Sequence, residues 1–313
     1  MAAQTLLDLH PLEYEHPFDA KALDALEGTP GLEILSRQVI KHGIERLFTI
    51  QYLGSNIKIT NANHPEVYDI LCNVCKTISL DNIPELYVEW NDSVNAITVG
   101  VDNPIIVLTS GAIDRLTDQE MTFLMGHEVG HLKSRHTLYH LMANTITSFG
   151  NAISQVTLGL GKLVSMPVQF ALLRWSQMSE LTCDRAGLLA CQEQESAISV
   201  MMKLAGLPET FNPEREHQHF MQQASAFESL DYDFLNKWMK IFVHLHHTHP
   251  WTVMRASELI KWTESGEYQQ VLERETRGKV TRKVESGVLF CRNCEYRLDG
   301  SETYCPSCGK QLG

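Results

Sequence analysis

The sequence predicts an α+β protein that is mainly helical, with one small β-sheet and a short cysteine-rich module at its C-terminal end. Long segments carry apolar residues at helical spacing, most clearly Thr117–His140 and Phe170–Gln192. Three short runs separated by polar turn residues, ELYVEW, NAITVG and PIIVLTS, indicate strands. Two C-x-x-C pairs close the chain. These observations favour a helical domain built around a few strands, followed by a separate module.

The elements follow in order along the chain. A helical pattern runs from Ala20 to Leu47, with Asp19 as its predicted cap and a break at Thr29–Gly31. NIKIT predicts a short strand, and Pro65–Ile78 predicts a helix before the three strands. Thr117 and Glu120 form a capping-box pair at the start of the long helix that follows. Two further helices are expected over Phe170–Gln192 and Glu195–Ala205.

Composition limits the function classes. The 313 residues include 43% hydrophobic and 20% charged residues, which is typical of a globular protein. The net charge of −12 makes nucleic acid an unlikely partner, because phosphate binding needs a basic surface. We divide the chain into a catalytic-domain candidate over residues 1–270, a charged linker over 271–287 and a cysteine module over 288–313.

The chain start lacks the charged and apolar regions of a signal peptide, so we expect a reducing compartment. We therefore predict a cytoplasmic protein, with peripheral contact at the inner face of a membrane as the alternative. Residues 137–173 contain a long uncharged stretch, but it is too polar for a membrane span. It predicts either an amphipathic hairpin over a groove or a membrane surface, or a buried helix pair, which we favour.

The motif GHEVGH carries the first chemical signal. His127 and His131 are four residues apart, so a helix places both imidazoles on one face, where they can bind one metal ion. Glu128 is adjacent and can act as a general base on water. The alternative is a histidine-rich surface helix. A catalytic zinc also needs a third protein ligand.

SELTCDRAG supplies a candidate for that ligand. Glu180 and Asp184 are four residues apart on one predicted helical face. Glu180 can ligate zinc, and Asp184 can accept a hydrogen bond from the second nitrogen of a zinc-bound histidine. An ordinary acidic helix face is the alternative for this segment alone, but the two motifs in this order support each other.

HEVGH followed by ELTCD resembles the glutamate-zincin family that includes HtpX and the type 1 CaaX prenyl endopeptidases. The resemblance extends to HPFDAKALDAL, NAITVG and THPWTVMRASEL, and it runs from His16 to Leu259. It implies a zincin-type metallopeptidase domain and a zinc metalloendopeptidase activity on proteins or peptides. HtpX and the CaaX endopeptidases carry transmembrane helices, which this sequence does not predict, so a prenylated substrate is not implied.

The resemblance also suggests roles for residues that the motifs do not contain. It implies that His249 lies near the site, where it could donate to the oxyanion; a helix-cap role is the alternative. Arg255 could hold Asp184 or Glu180, although a surface arginine is equally compatible with the sequence. NAITVG is short and alternating, so it predicts an edge strand that an extended peptide could join. We therefore expect Asn95 and Ala96 to contact substrate.

The C-terminal segment predicts a second, structural zinc. Cys291 and Cys294 are separated by ten residues from Cys305 and Cys308, and four thiolates close a tetrahedral zinc site. So short a segment needs metal to fold, which is typical of a zinc ribbon. We expect this ribbon to contact a partner protein or recruit substrate.

The predicted function is therefore zinc-dependent endoproteolysis with one catalytic and one structural zinc, in protein quality control by analogy with the family. A catalytically silent zincin scaffold that binds proteins through its ribbon is the main alternative. Glu128 argues against it, because a scaffold needs no general base. An exopeptidase is the third hypothesis, but the sequence offers no obvious acidic motif for a substrate amine.

Overall fold

A computed structural model of the chain describes residues 3–29, 32, 44–101, 103–149, 166–208, 210–229 and 251–273, and the short pairs 289–290 and 297–298. The chain divides into two compact units, Met1–Glu273 and Arg274–Gly313.

The helices of the first unit are α1 (Pro17–Glu27), α2 (Ile44–Ser55), α3 (Pro65–Thr77), α4 (Ser110–Arg115), α5 (Asp118–Lys133), α6 (Thr137–Phe149), α7 (Met166–Cys191), α8 (Gln194–Leu204), α9 (Pro213–Ser229), α10 (Thr252–Glu264) and α11 (Glu267–Leu272). Its strands are β1 (Ile57–Ile59), β2 (Glu85–Glu89), β3 (Ala96–Val99) and β4 (Ile105–Thr109). The mainly helical α+β architecture with a small sheet is confirmed.

The four strands form one mixed sheet in the order β1-β2-β4-β3. β2 and β4 run parallel, whereas β1 pairs antiparallel with β2 and β3 pairs antiparallel with β4. Every residue of β4 is buried, as expected for a central strand. β3 lies at the edge of the sheet, with Ala96 opposite Leu108 and Val99 opposite Ile105. The edge strand packs beside α5, which carries the histidine motif.

Close contact between α5 and α7 forms the centre of the first unit. A Cβ built on Gly126 would lie 2.5 Å from Ala190 Cβ, and one on Gly130 would lie 2.7 Å from Ala186 Cβ. From the other side, a Cβ on Gly187 would lie 2.8 Å from Phe123 O. Larger side chains at these positions would push the two helices apart. The glycines therefore set the separation that brings side chains of α5 and α7 together.

Several helix boundaries differ from those expected. His16, not Asp19, caps α1, because His16 Nδ1 accepts the Phe18 backbone N–H at 3.1 Å. Asp19 is instead buried inside the first turn. The long helix expected from Thr117 to His140 is two helices, α5 and α6, separated at Arg135, whose φ is +57°. Apolar periodicity continues across that break, so the pattern alone does not reveal it.

The second unit contains a short antiparallel pair, β5 (Leu289–Phe290) and β6 (Arg297–Leu298). The four cysteines of the predicted ribbon lie outside the described residues, so the structural zinc and the division into three segments stay predictions. Within the described part of the chain, no helix is both long and apolar enough to cross a membrane. Residues 150–165, within the stretch 137–173 for which we weighed an amphipathic hairpin or a buried helix pair, also lie outside that part.

Candidate metal centre and active site

Helix α5 presents the histidine motif inside the protein. Thr117 and Glu120 form the expected capping box, which fixes the first turn of α5. His127 and His131 follow on one face and are 4% and 6% exposed. Because both imidazoles are buried, the alternative of a histidine-rich surface helix is excluded. Buried imidazoles need polar partners.

Glu180 of α7 lies between the two histidines. Its Oε2 is 3.3 Å from His127 Nε2, and its Oε1 is 3.3 Å from His131 Nε2. The two Nε2 atoms are also 3.3 Å apart. Ligand atoms about 2.0–2.1 Å from a tetrahedral zinc would be separated by about 3.3–3.4 Å. The three donor atoms therefore fit one zinc ion and leave a fourth position, which is the donor set of a catalytic zinc.

The second ring nitrogen of His127 faces Asp184. His127 Nδ1 lies 3.0 Å from Asp184 Oδ1, an arrangement that fixes the tautomer with Nε2 directed at the metal position. Burial lowers the pKa of His127, but its hydrogen bonds to Asp184 and Glu180 outweigh burial and raise the pKa to about 9. In the metal-free site these two carboxylates favour a proton on His127, so zinc binding there releases a proton.

Arg255 of α10 holds Asp184 through two hydrogen bonds. Nε donates to Asp184 Oδ2 at 2.8 Å, and Nη2 donates to Oδ1 at 2.6 Å. Nη1 lies 3.7 Å from Glu180 Oε2. Burial would raise the pKa of Asp184, but the Arg255 guanidinium lowers it, so Asp184 stays ionised. Arg255 is buried, so the alternative of a surface arginine is excluded.

Glu128 points toward the edge strand. Thr98 Oγ1 lies 2.6 Å from Glu128 Oε2 and 3.2 Å from the Glu128 backbone carbonyl. The hydroxyl donates one proton, and the carboxylate is the stronger acceptor. Glu128 is 5% exposed, so this contact supplies polar stabilisation that water would otherwise give. Thr98 was not among the expected site residues, because only the packing of β3 on α5 brings it there.

Asn95 and Ala96 lie where β3 begins. Asn95 N–H donates to Thr109 Oγ1 at 3.0 Å, and its carbonyl accepts the Thr109 N–H at 3.1 Å. Ala96 is buried and pairs with Leu108. The structure thus places Ala96 on the edge strand next to α5 and Asn95 directly before that strand. His249 lies outside the described residues, so its distance from Glu128 is not defined.

Two further histidines follow His131, His136 in the turn between α5 and α6 and His140 in α6. His136 Nδ1 lies 3.4 Å from His131 Nδ1, and the His140 ring packs edge-on at 4.7 Å from His131. His140 bonds to two serines of α7, Ser176 at 3.2 Å and Ser179 at 2.8 Å. The signal for His136 was visible as a third histidine five residues beyond His131, but its partners come from distant segments.

Sequence comparison adds family evidence to this geometry. The profile of peptidase family M48 matches residues 61–263, a span that contains both motifs. Plastoglobule-localized metallopeptidase 48 of Arabidopsis thaliana is 28% identical over 279 residues, which cover 88% of this chain and 80% of that protein. Protease HtpX of Legionella pneumophila is 22% identical and covers 65% of this chain and 80% of its own length. The predicted resemblance to HtpX-like proteases is confirmed.

Two further similarities were found. Protease HtpX homolog 2 of Methanosarcina acetivorans is 24% identical over 66% of this chain and 76% of that protein. The crystal structure of S. mikatae Ste24p aligns with 77% of this chain and 64% of its own at 16% identity, with a TM-score of 0.37.

The Arabidopsis relative also corrects one expectation. Its name describes it as chloroplastic and plastoglobule-localized, and it matches most of this chain. The predicted cytoplasmic location is therefore wrong, because it rested on the chain start and the absence of a predicted span. Neither feature reports the compartment in which a related protein works.

Proposed function

Because the chain belongs to peptidase family M48 and is a zinc metalloprotease, we propose that it is an endopeptidase whose zinc is held by His127, His131 and Glu180. The observation that carries this proposal is the equal 3.3 Å separation of the three ligand atoms. A histidine pair or an acidic helix face alone would not predict that spacing. Zinc bound there would polarise the scissile carbonyl and lower the pKa of a water molecule.

Glu128 is the proposed general base. With Oε2 held by Thr98, its carboxylate has one fixed orientation from which it takes a proton from water and passes it to the leaving amine. Asp184 and Arg255 position His127, because the two bonds of the guanidinium fix the carboxylate that His127 contacts. His249 stays the proposed second donor to the oxyanion.

Substrate is proposed to bind as an extended strand along β3. An edge strand offers backbone N–H and C=O groups to a peptide, so affinity depends little on substrate sequence. Its position beside α5 would bring a scissile bond close to Glu128, with Asn95 and Ala96 at the contact. Such weak sequence preference suits a protease that removes unfolded proteins, and we propose a role in protein quality control on that ground.

The C-terminal unit is proposed to be a zinc ribbon held by four cysteines, Cys291, Cys294, Cys305 and Cys308. Its metal would supply most of its folding energy, because so short a segment buries little apolar surface. With a chain net charge of −12, we propose protein contact or substrate recruitment for this unit, after a linker over residues 271–287.

The test combines zinc content with cleavage of casein by the full chain. Glu128→Gln should retain zinc at the wild-type stoichiometry and lose cleavage by about 100-fold or more, the usual contribution of a general base. Glu195→Gln, at an exposed glutamate, is the matched control and should cleave normally. Peptides with blocked ends should be cut, since an endopeptidase needs no free terminus.

Two outcomes would contradict the proposal. Zinc that is lost with Cys291→Ser and Cys294→Ser but not with His127→Ala would leave a scaffold that binds proteins through its ribbon. Cleavage that requires a free terminus would assign an exopeptidase.

A further inference from the structure

The two zinc-ligand histidines have different neighbours at their second nitrogen. His127 Nδ1 contacts a carboxylate, Asp184, at 3.0 Å. His131 Nδ1 instead faces another imidazole, with His136 Nδ1 at 3.4 Å. An imidazole orients a ligand as a carboxylate does only when its own proton is on the far nitrogen. The support of His131 therefore depends on what holds His136.

Hydrogen-bond requirements determine the tautomers in this group. When His131 binds metal through Nε2, its proton lies on Nδ1 and can be donated only to an unprotonated His136 Nδ1. The proton of His136 is then on Nε2, which lies 3.4 Å from Asp19 Oδ2. Each donor in this series of contacts faces an acceptor, and the series runs from His131 through His136 to the carboxylate of Asp19.

The carboxylate of Asp19 lies in an unusual environment. It is 1% exposed, and its Oδ2 accepts a 2.5 Å hydrogen bond from Thr182. Within the described residues, its Oδ1 has no hydrogen-bond partner. Burying an ionised group is costly unless charge and hydrogen bonds compensate it. Among the described residues, Thr182 and His136 are the side chains that contact Asp19 Oδ2.

The first turn of α1 holds Asp19 in place. The His16 backbone N–H donates to Thr182 Oγ1 at 3.1 Å, and the same hydroxyl donates to Asp19. His16 Nδ1 caps α1, so its Nε2 carries the proton and donates to Glu258 Oε2 at 3.1 Å. His16 thus joins the start of α1 to α7 and to α10.

His131, His136 and Cys183 are also close enough to hold an ion of their own. Cys183 Sγ lies 3.5 Å from His136 Nδ1. Burial raises the pKa of the Cys183 thiol well above its usual value, so the protonated form, a weak donor, is favoured. A second ion would also have to share His131 with the zinc. The neutral hydrogen-bonded arrangement fits these contacts better.

We propose that Asp19 and His136 are positioning residues that orient His131 as a zinc ligand, so that α1 completes the metal centre from outside residues 61–263. The inference rests on the proposed function for the zinc bound at His131. It differs from the support of His127, because the carboxylate here acts through a second imidazole and comes from the N-terminal segment.

The test is the zinc affinity of the full chain in wild type, Asp19→Asn, His136→Phe and the double variant. Cobalt is used as a second probe, since its d–d bands report a histidine–carboxylate site and its thiolate charge-transfer band reports cysteine sites. Chelator competition then gives the zinc dissociation constant of the histidine site. We expect each single variant to bind zinc there about tenfold or more weakly and to change the d–d bands.

Two comparisons separate positioning from a general structural role. In the His136→Phe background, Asp19→Asn should weaken zinc binding no further, because Asp19 acts through His136. His136→Gln should recover much of the affinity, since its amide keeps an acceptor and a donor. His219→Gln, the same change at an exposed histidine of α9, should bind zinc normally.

Several results would overturn the inference. One is a zinc dissociation constant within about twofold of wild type in both single variants, below the usual effect of such partners. Another is an Asp19→Asn effect of equal size with and without His136. A third is an additional metal equivalent that disappears in His136→Phe. Wild-type protein without metal at the histidine site would remove the proposed function as well, which distinguishes that failure from the others.

Discussion

Thr98 donates a 2.6 Å hydrogen bond to Glu128 Oε2 and so joins the edge strand β3 to the helix that carries the metal ligands. A peptide that pairs with β3 would lie beside the residue that contacts the proposed base. Substrate binding and the orientation of Glu128 are therefore linked by one side chain. This hydrogen bond is short and its acceptor is a carboxylate oxygen. Hydrogen bonds to ionised groups are stronger than those between neutral groups.

Replacing Thr98 by Val should lower kcat about tenfold, because a hydrogen bond to a charged group contributes about 1.5–3 kcal/mol. Valine keeps the shape and β-branching of threonine, so strand pairing is retained. We expect KM and zinc content to stay close to wild type. Thr98→Ser keeps the hydroxyl and is the matched control. Equal kcat values for the valine and serine variants would contradict a role for the hydroxyl.

Removing Arg255 should destabilise the first unit strongly. Arg255→Ala leaves Asp184 buried without its guanidinium, and loss of one partner of a buried pair typically costs about 3–5 kcal/mol. Urea unfolding in the presence of a chelator measures this without the contribution of zinc. Arg46→Ala, at an exposed position of α2, should change stability by less than about 0.5 kcal/mol. Similar effects for the two variants would show that Arg255 is not essential to the buried network.

Gly130→Ala should separate α5 from α7. The added Cβ would lie 2.7 Å from Ala186 Cβ, and overpacking of this kind costs about 1–3 kcal/mol. Zinc affinity should fall too, because Glu180 and His131 are on the helices that move apart. Gly54→Ala is the control: it lies in α2, and its new Cβ would meet nothing within 4 Å. That change should stabilise the protein slightly. A wild-type zinc affinity in Gly130→Ala would contradict this account.

Glu258 gives the protein a pH-dependent stability. Its hydrogen bond from His16 lowers its pKa from 4.5 to about 2 despite partial burial. A carboxylate with a depressed folded-state pKa stabilises the protein above its unfolded value and loses that contribution as pH falls through the folded value. Wild type should therefore be more stable than Glu258→Gln at neutral pH, and the difference should vanish between pH 4.5 and about 2.

Urea unfolding of metal-free wild type and Glu258→Gln across that interval measures the difference. Glu264→Gln, at an exposed glutamate of the same helix, should give a difference that changes little with pH. A constant gap between wild type and Glu258→Gln would mean that the contact with His16 does not depend on the glutamate charge.

The sequence predicts those parts of the site in which the residues that act together are close along the chain. His127 and His131 share a helix face, and Glu180 and Asp184 share another, so each pair follows from helical periodicity. The capping box at Thr117 is likewise local. That the two faces meet was inferred from zinc chemistry and from resemblance, since a catalytic zinc needs a third ligand.

The remaining contacts could not be read from spacing. Thr98 reaches Glu128 because of sheet order, with β3 at the edge beside α5. Asp19 was expected to cap α1, since aspartate is a favoured cap, but His16 takes that position and Asp19 turns inward. The break at Arg135 sets the direction of α6 without interrupting the apolar pattern. The contacts of Thr98 with Glu128 and of Asp19 with Thr182 join segments that are distant in the sequence.

The attachment of α1 has a consequence for the smallest piece of chain that can act as a protease. A chain cut to the matched span 61–263 would keep both metal motifs and lose Asp19, His16 and the carbonyls of Tyr14 and Glu15 to which Arg185 donates. The buried face of α7 would then meet water. Because the N-terminal piece lost in this way is residues 1–60 and carries these contacts, a separate peptide of residues 1–60 is a candidate for fragment complementation. The proposed role of Asp19 makes the catalytic unit longer than residues 61–263, the span that the family profile matches.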